Sequence, residues 1–374
     1  MYIDTIDDLR YNKCRKDSLN LIQKEGMVNM SIAKTNFGTV DGRQAYLYTL
    51  ENSAGTEVGL TDFGATLVSI SVADRRGKFD DVVVGFDDAA GYANGTSYQG
   101  ATTGRVANRI SNAQFTLNGV TYNLAKNHNS KHHLHGGNVG YNKRFWEVDG
   151  HSDNEIVFSL TDADGTENYP GTLTVKVTFT LTEGNELIIN YRATTDKDTI
   201  INLTNHSYFN LTGQDNGNIY DHELMMNASK YTASDNDLIP TGEIKSVSGT
   251  MLDFTSPRKF GDGLTNVAPE TDYTGGYDHN FILDGDDIAA QVYEPTSGRV
   301  MTVRTDASDL QLYTGNFLDS SEVGKGGKAI AKRAGFCLET QLTPNSINMT
   351  GFPSIVLKVA EEYNTTTSFT FTAK

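Results

Sequence analysis

Two short runs each carry one proton-transferring side chain in a strand-like pattern: "INLTNHSYFNL" (201–211) holds His206 and "GFCLETQL" (335–342) holds Glu339. Successive side chains of a strand point to opposite faces. Read that way, Ile201, Leu203, Phe209 and Leu211 share one face of the first run with Asn205 and Ser207. Asn202, Thr204, His206, Tyr208 and Asn210 share the other. In the second run Phe336, Leu338, Thr340 and Leu342 lie opposite Cys337, Glu339 and Gln341. A third run, "DLQLYTGNF" (309–317), sets Leu310 and Leu312 against Gln311 and Tyr313. Strands with one oily face and one face of His, Glu or Gln have two readings. The polar faces are simply solvated, as such faces usually are. Alternatively they lie side by side, and a histidine meets a glutamate across a cleft lined with amides. A close His–carboxylate pair is the raw material of general acid–base catalysis, and a ladder of hydrogen-bonding groups suits a ligand covered in hydroxyls.

Other polar clusters say less. "GRVANRI" (104–110) groups Arg105, Asn108 and Arg109, either as a surface arginine pair or as donors to hydroxyls. "HHLHGG" (132–137) offers His132, His133 and His135, but its Gly-Gly end marks a turn and no carboxylate or cysteine stands at ligand spacing, which argues against a metal. "GGYDHNFIL" (275–283) puts Asp278 and His279 at a turn entering an apolar strand, where an aspartate usually bonds local backbone. No glycine fingerprint for a nucleotide and no Gly-x-Ser-x-Gly elbow is present.

The elements that must position these residues are strands. "TVKVTFTL" (174–181) alternates throughout, with Val175, Val177, Phe179 and Leu181 on one face. "GLTDFGATLVSISV", "DDVVVGF", "NELIINYRA" and "SFTFTA" read similarly, separated by Gly, Asn and Asp clusters, and Tyr169-Pro170-Gly171 forms a turn. No long amphipathic helix appears after residue 30 and no repeat is visible. The pattern predicts an all-β fold, a large sandwich over residues 31–374, with residues 1–30 as an appendage that is helical or loose. Parallel α/β is disfavoured because the helical crossovers are missing.

Composition bounds the function. The chain has 374 residues, 36 of them Gly and 7 Pro, and a net charge of −16, which argues against nucleic acid and against an acidic membrane surface. Cys14 and Cys337, the two cysteines, stand far apart, so neither a disulfide framework nor a thiolate metal site is expected. No stretch approaches the ~20 apolar residues of a membrane span. The N-terminal run has mixed charge and no apolar core, unlike a secretory signal, and a cytoplasmic location is the expectation.

"GRVANRI", "LHGG", "TNHSYFNL", "YDHNF", "LQLYTGNF" and "GFCLETQ", in that order, resemble the motif series of the aldose 1-epimerases (galactose mutarotases). "VVVGFDDAAGY", "YNKRFWEV" and "FPSIVLKVAEEY" are similar to connecting segments of that family, so the resemblance spans about residues 31 to 374. It implies a large antiparallel β-sandwich. It also implies His206 as general acid and Glu339 as general base, with Asn108, Arg109, His135, Asp278 and Gln311 contacting the sugar. Two segments depart from the family's pattern. Lys358-Val359-Ala360-Glu361-Glu362-Tyr363 stands where Arg/Lys-Pro-Gly often precedes Glu-Tyr, and Leu342-Thr343-Pro344 stands where an acidic residue often follows Gln341. Neither touches a matched catalytic position.

The implied reaction opens a hexose ring by giving a proton to the ring oxygen and taking one from the C1 hydroxyl. Rotation about C1–C2 and closure then give the other anomer, with Arg109 or His135 stabilising charge near the ring oxygen. Reference pKa values of about 4.3 for Glu and 6.5 for His would keep Glu339 ionised and put the alkaline loss of activity on His206. The expected substrate is a free aldose such as galactose or glucose, the expected state a monomer or homodimer, and no cofactor is implied. The alternatives are a hexose-phosphate 1-epimerase, for which Arg105 and Arg109 would line the cleft rim, and a sugar-binding or sensing module that does not catalyse. A glycosidase would need two carboxylates flanking a bond; the matched positions supply one and a histidine.

Overall fold

The period-2 runs form antiparallel strands, described here from a computed structural model that covers residues 32–374 apart from 267 and 286. The appendage read over residues 1–30, and Cys14 with it, lie outside the described residues. Leu173–Leu181 buries Leu173, Val175, Val177, Phe179 and Leu181 and turns its Thr and Lys residues outward, as its alternation requires. It pairs with Glu155–Asp162 on one side and Glu186–Thr195 on the other, within a nine-stranded sheet that also holds Arg299–Thr305 and the C-terminal Tyr363–Ala373.

Two five-stranded sheets lie against that layer. The first runs from Ala33–Val40 to Phe79–Asp81 in chain order; the second is built from Pro240–Ser246, Lys230–Ser234, Asp278–Ile282, Asp309–Tyr313 and Cys337–Gln341, in that spatial order. One continuous core joins all three. Leu50, Val58 and Leu60 come from the first sheet, Phe158, Phe179 and Phe371 from the nine-stranded layer, and Phe281, Leu310, Leu312 and Leu338 from the second. The Tyr48 and Phe158 rings meet edge to face across the interface at 5.9 Å. This is the expected all-β sandwich. Among the described residues the α-helices have at most six residues.

The stretch 201–211 departs from expectation. Its faces are sorted as alternation predicts, with Ile201, Leu203, Phe209 and Leu211 in the core. Yet the run is not one strand: Thr204–Asn205 and Tyr208–Phe209 form two-residue strands with Thr102–Thr103 and Val83–Val84 respectively, and Asn202 and Phe209 make isolated bridges to Val106 and Phe336. Its asparagines bond to backbone instead. Asn202 bonds Leu342 in both directions, Asn205 gives its amide to Gly100 O and accepts from Ser207, and Asn210 gives to Ala334 O and accepts from Thr212 N. Such bonds compete with a ladder and break it into short pieces. The polar face is not solvated, since every residue from 201 to 211 is buried.

Candidate active site

The second five-stranded sheet supplies one wall of a cavity of about 490 Å³, within the range of small-molecule sites. Its register sets Asn280, Gln311 and Glu339 opposite one another on three neighbouring strands, and Asp278, Tyr313 and Cys337 in the adjoining row. Leu310, Leu312 and Leu338 lie between these positions and face the core, so burying them turns Gln311, Tyr313, Cys337 and Glu339 the other way. Gln311 Nε2 donates to Asp278 Oδ1 at 2.6 Å. Asp278 is thus a buried strand residue rather than a turn residue.

His206 arrives from the side. Phe209 and Phe336 exchange backbone hydrogen bonds of 2.7 and 3.0 Å, which lashes the 204–209 segment to the start of the Glu339 strand. His206 Nε2 then sits 3.7 Å from Glu339 Oε1, both side chains almost wholly buried. The third wall comes from Arg109–Ile110 paired with His133–Leu134. Asn108 and His135 both take positive φ, and they bond each other: His135 N–H to Asn108 O at 3.0 Å and Asn108 N–H to His135 Nδ1 at 3.1 Å. Gly136 is required at the turn, because a Cβ there would lie 1.8 Å from Gly104 O. Arg109 Nη2 stands 3.8 Å from Asp278 Oδ2. All seven residues matched from the sequence, His206, Glu339, Asn108, Arg109, His135, Asp278 and Gln311, therefore line one cavity.

The remaining candidates go elsewhere. Arg105 is buried away from the cavity, held by Asp162, Thr199 and the carbonyls of Pro170 and Gly171. His132 bonds Asp237 and Asn112 N–H, and His133 bonds Ala125 O and Tyr169.

Burial reverses the protonation order that reference values give. Desolvation, with a small contribution from the Arg109 charge, pulls His206 down to about 4. Desolvation and the Asp278 carboxylate push Glu339 well up, against a pull from Arg109. Asp278 is also pushed up by burial, but Arg109 and the Gln311 amide hold it back. Among the described cavity-lining residues Arg109 is the one arginine or lysine against two buried carboxyls, and Asp278 has both it and an amide donor, whereas Glu339 Oε2 has no hydrogen-bond partner among the described residues. Burial therefore favours neutral histidine beside protonated glutamate over the ion pair. Although 3.7 Å is within ion-pair distance, a buried ion pair without supporting hydrogen bonds costs more in desolvation than it returns.

His135, His206 and Glu339 bring potential metal-ligand atoms within 4.8 Å of one another. Ligating imidazoles donate their second N–H outward. His135 does the reverse: its Nδ1 accepts Asn108 N–H, so the neutral ring carries its proton on Nε2, as a donor for ligand oxygens. The tautomer argues against a metal here.

Several lining residues had no role assigned from sequence. Tyr208 and Tyr313 share faces with His206 and Gln311 and were legible as positions; their rings flank His206 at 5.1 and 6.3 Å. Tyr98 lies in an irregular loop at φ 58° and covers His135 and His206 at 4.7 and 5.9 Å, with no signal in its sequence neighbourhood. Phe317, 65% exposed, continues the Tyr313 ring to the cavity rim.

Comparison with known proteins identifies the family and the fold. The family model described as aldose 1-epimerase matches residues 46–370. Galactose mutarotase of Bos taurus is 46% identical over 317 residues, covering 84% of this chain and 90% of that one. Aldose 1-epimerase of Escherichia coli K12 is 35% identical over 340 residues, covering 89% and 97%. The crystal structure of galactose 1-epimerase from Lactobacillus acidophilus superposes with a TM-score of 0.82 at 28% identity, covering 92% of this chain and 99% of that one. With the motif series and the sandwich in agreement with these matches, the chain belongs to the aldose 1-epimerase family.

Proposed function

We propose that this protein interconverts the α and β anomers of a free hexose, galactose or glucose, with His206 and Glu339 as the acid–base pair. The observation that carries this reading is the buried 3.7 Å contact between the two side chains in a sugar-sized, polar-walled cavity. A bound sugar brings hydroxyl donors to Glu339 and favours its carboxylate, so the pair's single proton passes to His206. His206 then gives it to the ring oxygen while Glu339 takes the C1 hydroxyl proton. The ring opens to the aldehyde, leaving neutral His206 and protonated Glu339, the arrangement that burial favours. After rotation about C1–C2 the C5 hydroxyl attacks the other face of the carbonyl; Glu339 returns a proton to the C1 oxygen and His206 takes one from C5–OH. Each positioned group contributes roughly 10²–10⁴ in rate. Asn108, Arg109, His135, Asp278 and Gln311 hold the hydroxyls, with the His135 Nε2–H and Arg109 available to charge building on oxygen. Cytoplasmic residence belongs to the same proposal.

A phosphorylated sugar fits less well. Arg105 is committed to Asp162, and among the cavity-lining residues Arg109 faces three carboxyl groups, of Asp237, Asp278 and Glu339. The test is the optical rotation of freshly dissolved α-galactose and α-glucose with and without protein. Accelerated relaxation is expected; relaxation at the spontaneous rate for both, with acceleration only for hexose 6-phosphates, would move the assignment to the phosphate sugars. No acceleration for either, with binding retained, would leave a sugar sensor.

A further inference from the structure

Cys337 and Glu339 stand two residues apart on one face of the same strand, and together they bracket both nitrogens of the His206 ring. Cys337 Sγ lies 3.6 Å from Nδ1 and Glu339 Oε1 lies 3.7 Å from Nε2. A histidine that alternately gives and takes a proton must exchange it at one nitrogen and keep the other protonated throughout, since the neutral ring is far too weak an acid to lose its last proton. The nitrogen that keeps its proton needs an acceptor beside it. In serine hydrolases a carboxylate fills that place, and it stabilises the imidazolium as well as fixing the ring.

Among the described residues, no carboxylate bonds His206 on the side away from Glu339. That side offers the Cys337 sulfur, and a bond from the ring to the residue's own backbone favours the protonated imidazole. The thiol is fully buried among Tyr208, Tyr313 and His206, and burial together with the Glu339 and Asp278 charges pushes its own ionisation well up, so the sulfur is neutral. We propose that Cys337 is a positioning residue for the acid–base pair: its sulfur accepts the Nδ1–H of His206, so that Nε2 is the nitrogen that trades the proton with Glu339 and the substrate. A neutral acceptor orients the ring while giving the imidazolium little stabilisation, and His206 stays a strong acid towards the weakly basic ring oxygen. A carboxylate in the same place would hold the proton back.

This inference rests on the acid–base pairing proposed above, and it has a readout of its own. In protein labelled with ¹⁵N-histidine, the ring nitrogens of His206, assigned by loss of the signals in His206→Asn, are followed at pH 7. The expected result is a protonated Nδ1 and a bare Nε2. Kinetically, Cys337→Ala should lower kcat about tenfold, the low end of the cost of losing a ring-orienting partner, with KM for galactose within twofold. Cys337→Ser, which keeps an acceptor, should recover most of the loss. A proton on Nε2 in the wild-type enzyme would overturn the assignment even if neither variant folds. So would Cys337→Ala with unchanged kcat, pH profile and ring-nitrogen shifts while His206→Asn and Glu339→Gln are inactive. Active His206→Asn and Glu339→Gln would instead refute the acid–base pairing itself, whatever the tautomer.

Discussion

The pH dependence of turnover is where burial makes its sharpest statement. The active pair carries one proton. Reference pKa values would allow that state only between about 4.3 and 6.5, with His206 losing its proton on the alkaline side. The structure inverts the order. His206 is pulled to about 4 and Glu339 is pushed well up, so the one-proton state spans the range from about pH 4 to the raised ionisation of Glu339. The acid limb is then the uptake of a second proton by His206, and the alkaline limb is loss of the proton from Glu339, both as properties of the coupled pair. The two orders separate on the alkaline side: at pH 7.5 the reference order would leave about 9% of the rate because His206 has lost its proton, whereas in the inverted order the alkaline limb belongs to Glu339. Within the inverted order, a His206 titrating at about 4 keeps about 97% of the rate at pH 5.5, where one at the ordinary value would keep about 9%. The assay is polarimetry of α-galactose from pH 4 to 9, with the spontaneous rate subtracted at each pH. Circular dichroism and recovery of activity on return to pH 7 separate titration from unfolding. An alkaline limb centred near 6.5, or an acid limb centred at 6 or above, in protein that is still folded would refute the argument from desolvation.

Three further outcomes follow from named contacts. Glu339→Gln should lower kcat by about 10²–10⁴ while galactose binding, read by calorimetry, changes little; burial favours the neutral carboxyl and Oε2 has no hydrogen bond to lose, so stability should stay within about 1 kcal/mol. Intact turnover with lost binding would contradict the role. His222, buried, accepts Leu211 N–H on Nε2 at 2.9 Å and is pulled by burial to about 4. Its folded pKa lies below the unfolded one, so the unfolded chain binds more protons and stability present above pH 6.5 is lost as pH falls towards 4. His222→Gln should reduce the slope of urea-unfolding free energy against pH by about 1.2 kcal/mol per unit near pH 5, whatever its effect at pH 7; an unchanged slope would rule the bond out as the cause. Ala360 holds φ 70° on an exposed turn, at the position where the family pattern often has glycine. Ala360→Gly should relieve about 1–2 kcal/mol of left-handed strain less about 0.4–1 of extra unfolded-state entropy. The net gain is a small rise in melting temperature, and a fall would show that no strain resides there.

Much of this arrangement was legible because strand alternation carries information about faces. Leu310 and Leu338 must be buried, so Gln311 and Glu339 must point away from the core, and the row they form was foreseeable once the strands were placed side by side. The segment 201–211 kept its two faces but not its strand, because the choice of Asn202, Asn205 and Asn210 to bond backbone rather than extend a ladder depends on carbonyls from distant parts of the chain. Arg105 and Arg109 looked alike in "GRVANRI". What separates them is Asp162, 57 residues on, which captures the first. The order of ionisation was beyond reach for a related reason: it depends on how completely His206 and Glu339 are buried and on the Asp278 carboxylate, 61 positions from Glu339, none of which a local pattern carries.

The row Asn280–Gln311–Glu339 also says how such a sequence can change over time. Core and cavity share the same three strands on alternate positions, so one inserted or deleted residue within 309–313 or 337–341 would exchange the faces, driving Glu339 into the hydrocarbon layer and Leu338 into the sugar's place. Length variation in those strands is thereby closed to drift, while point substitution remains open. The loops that bring Tyr98 and Phe317 to the rim carry no such coupling, and it is there that lineages of this fold can gain or lose residues and so alter which sugar is admitted without disturbing the pair that opens it.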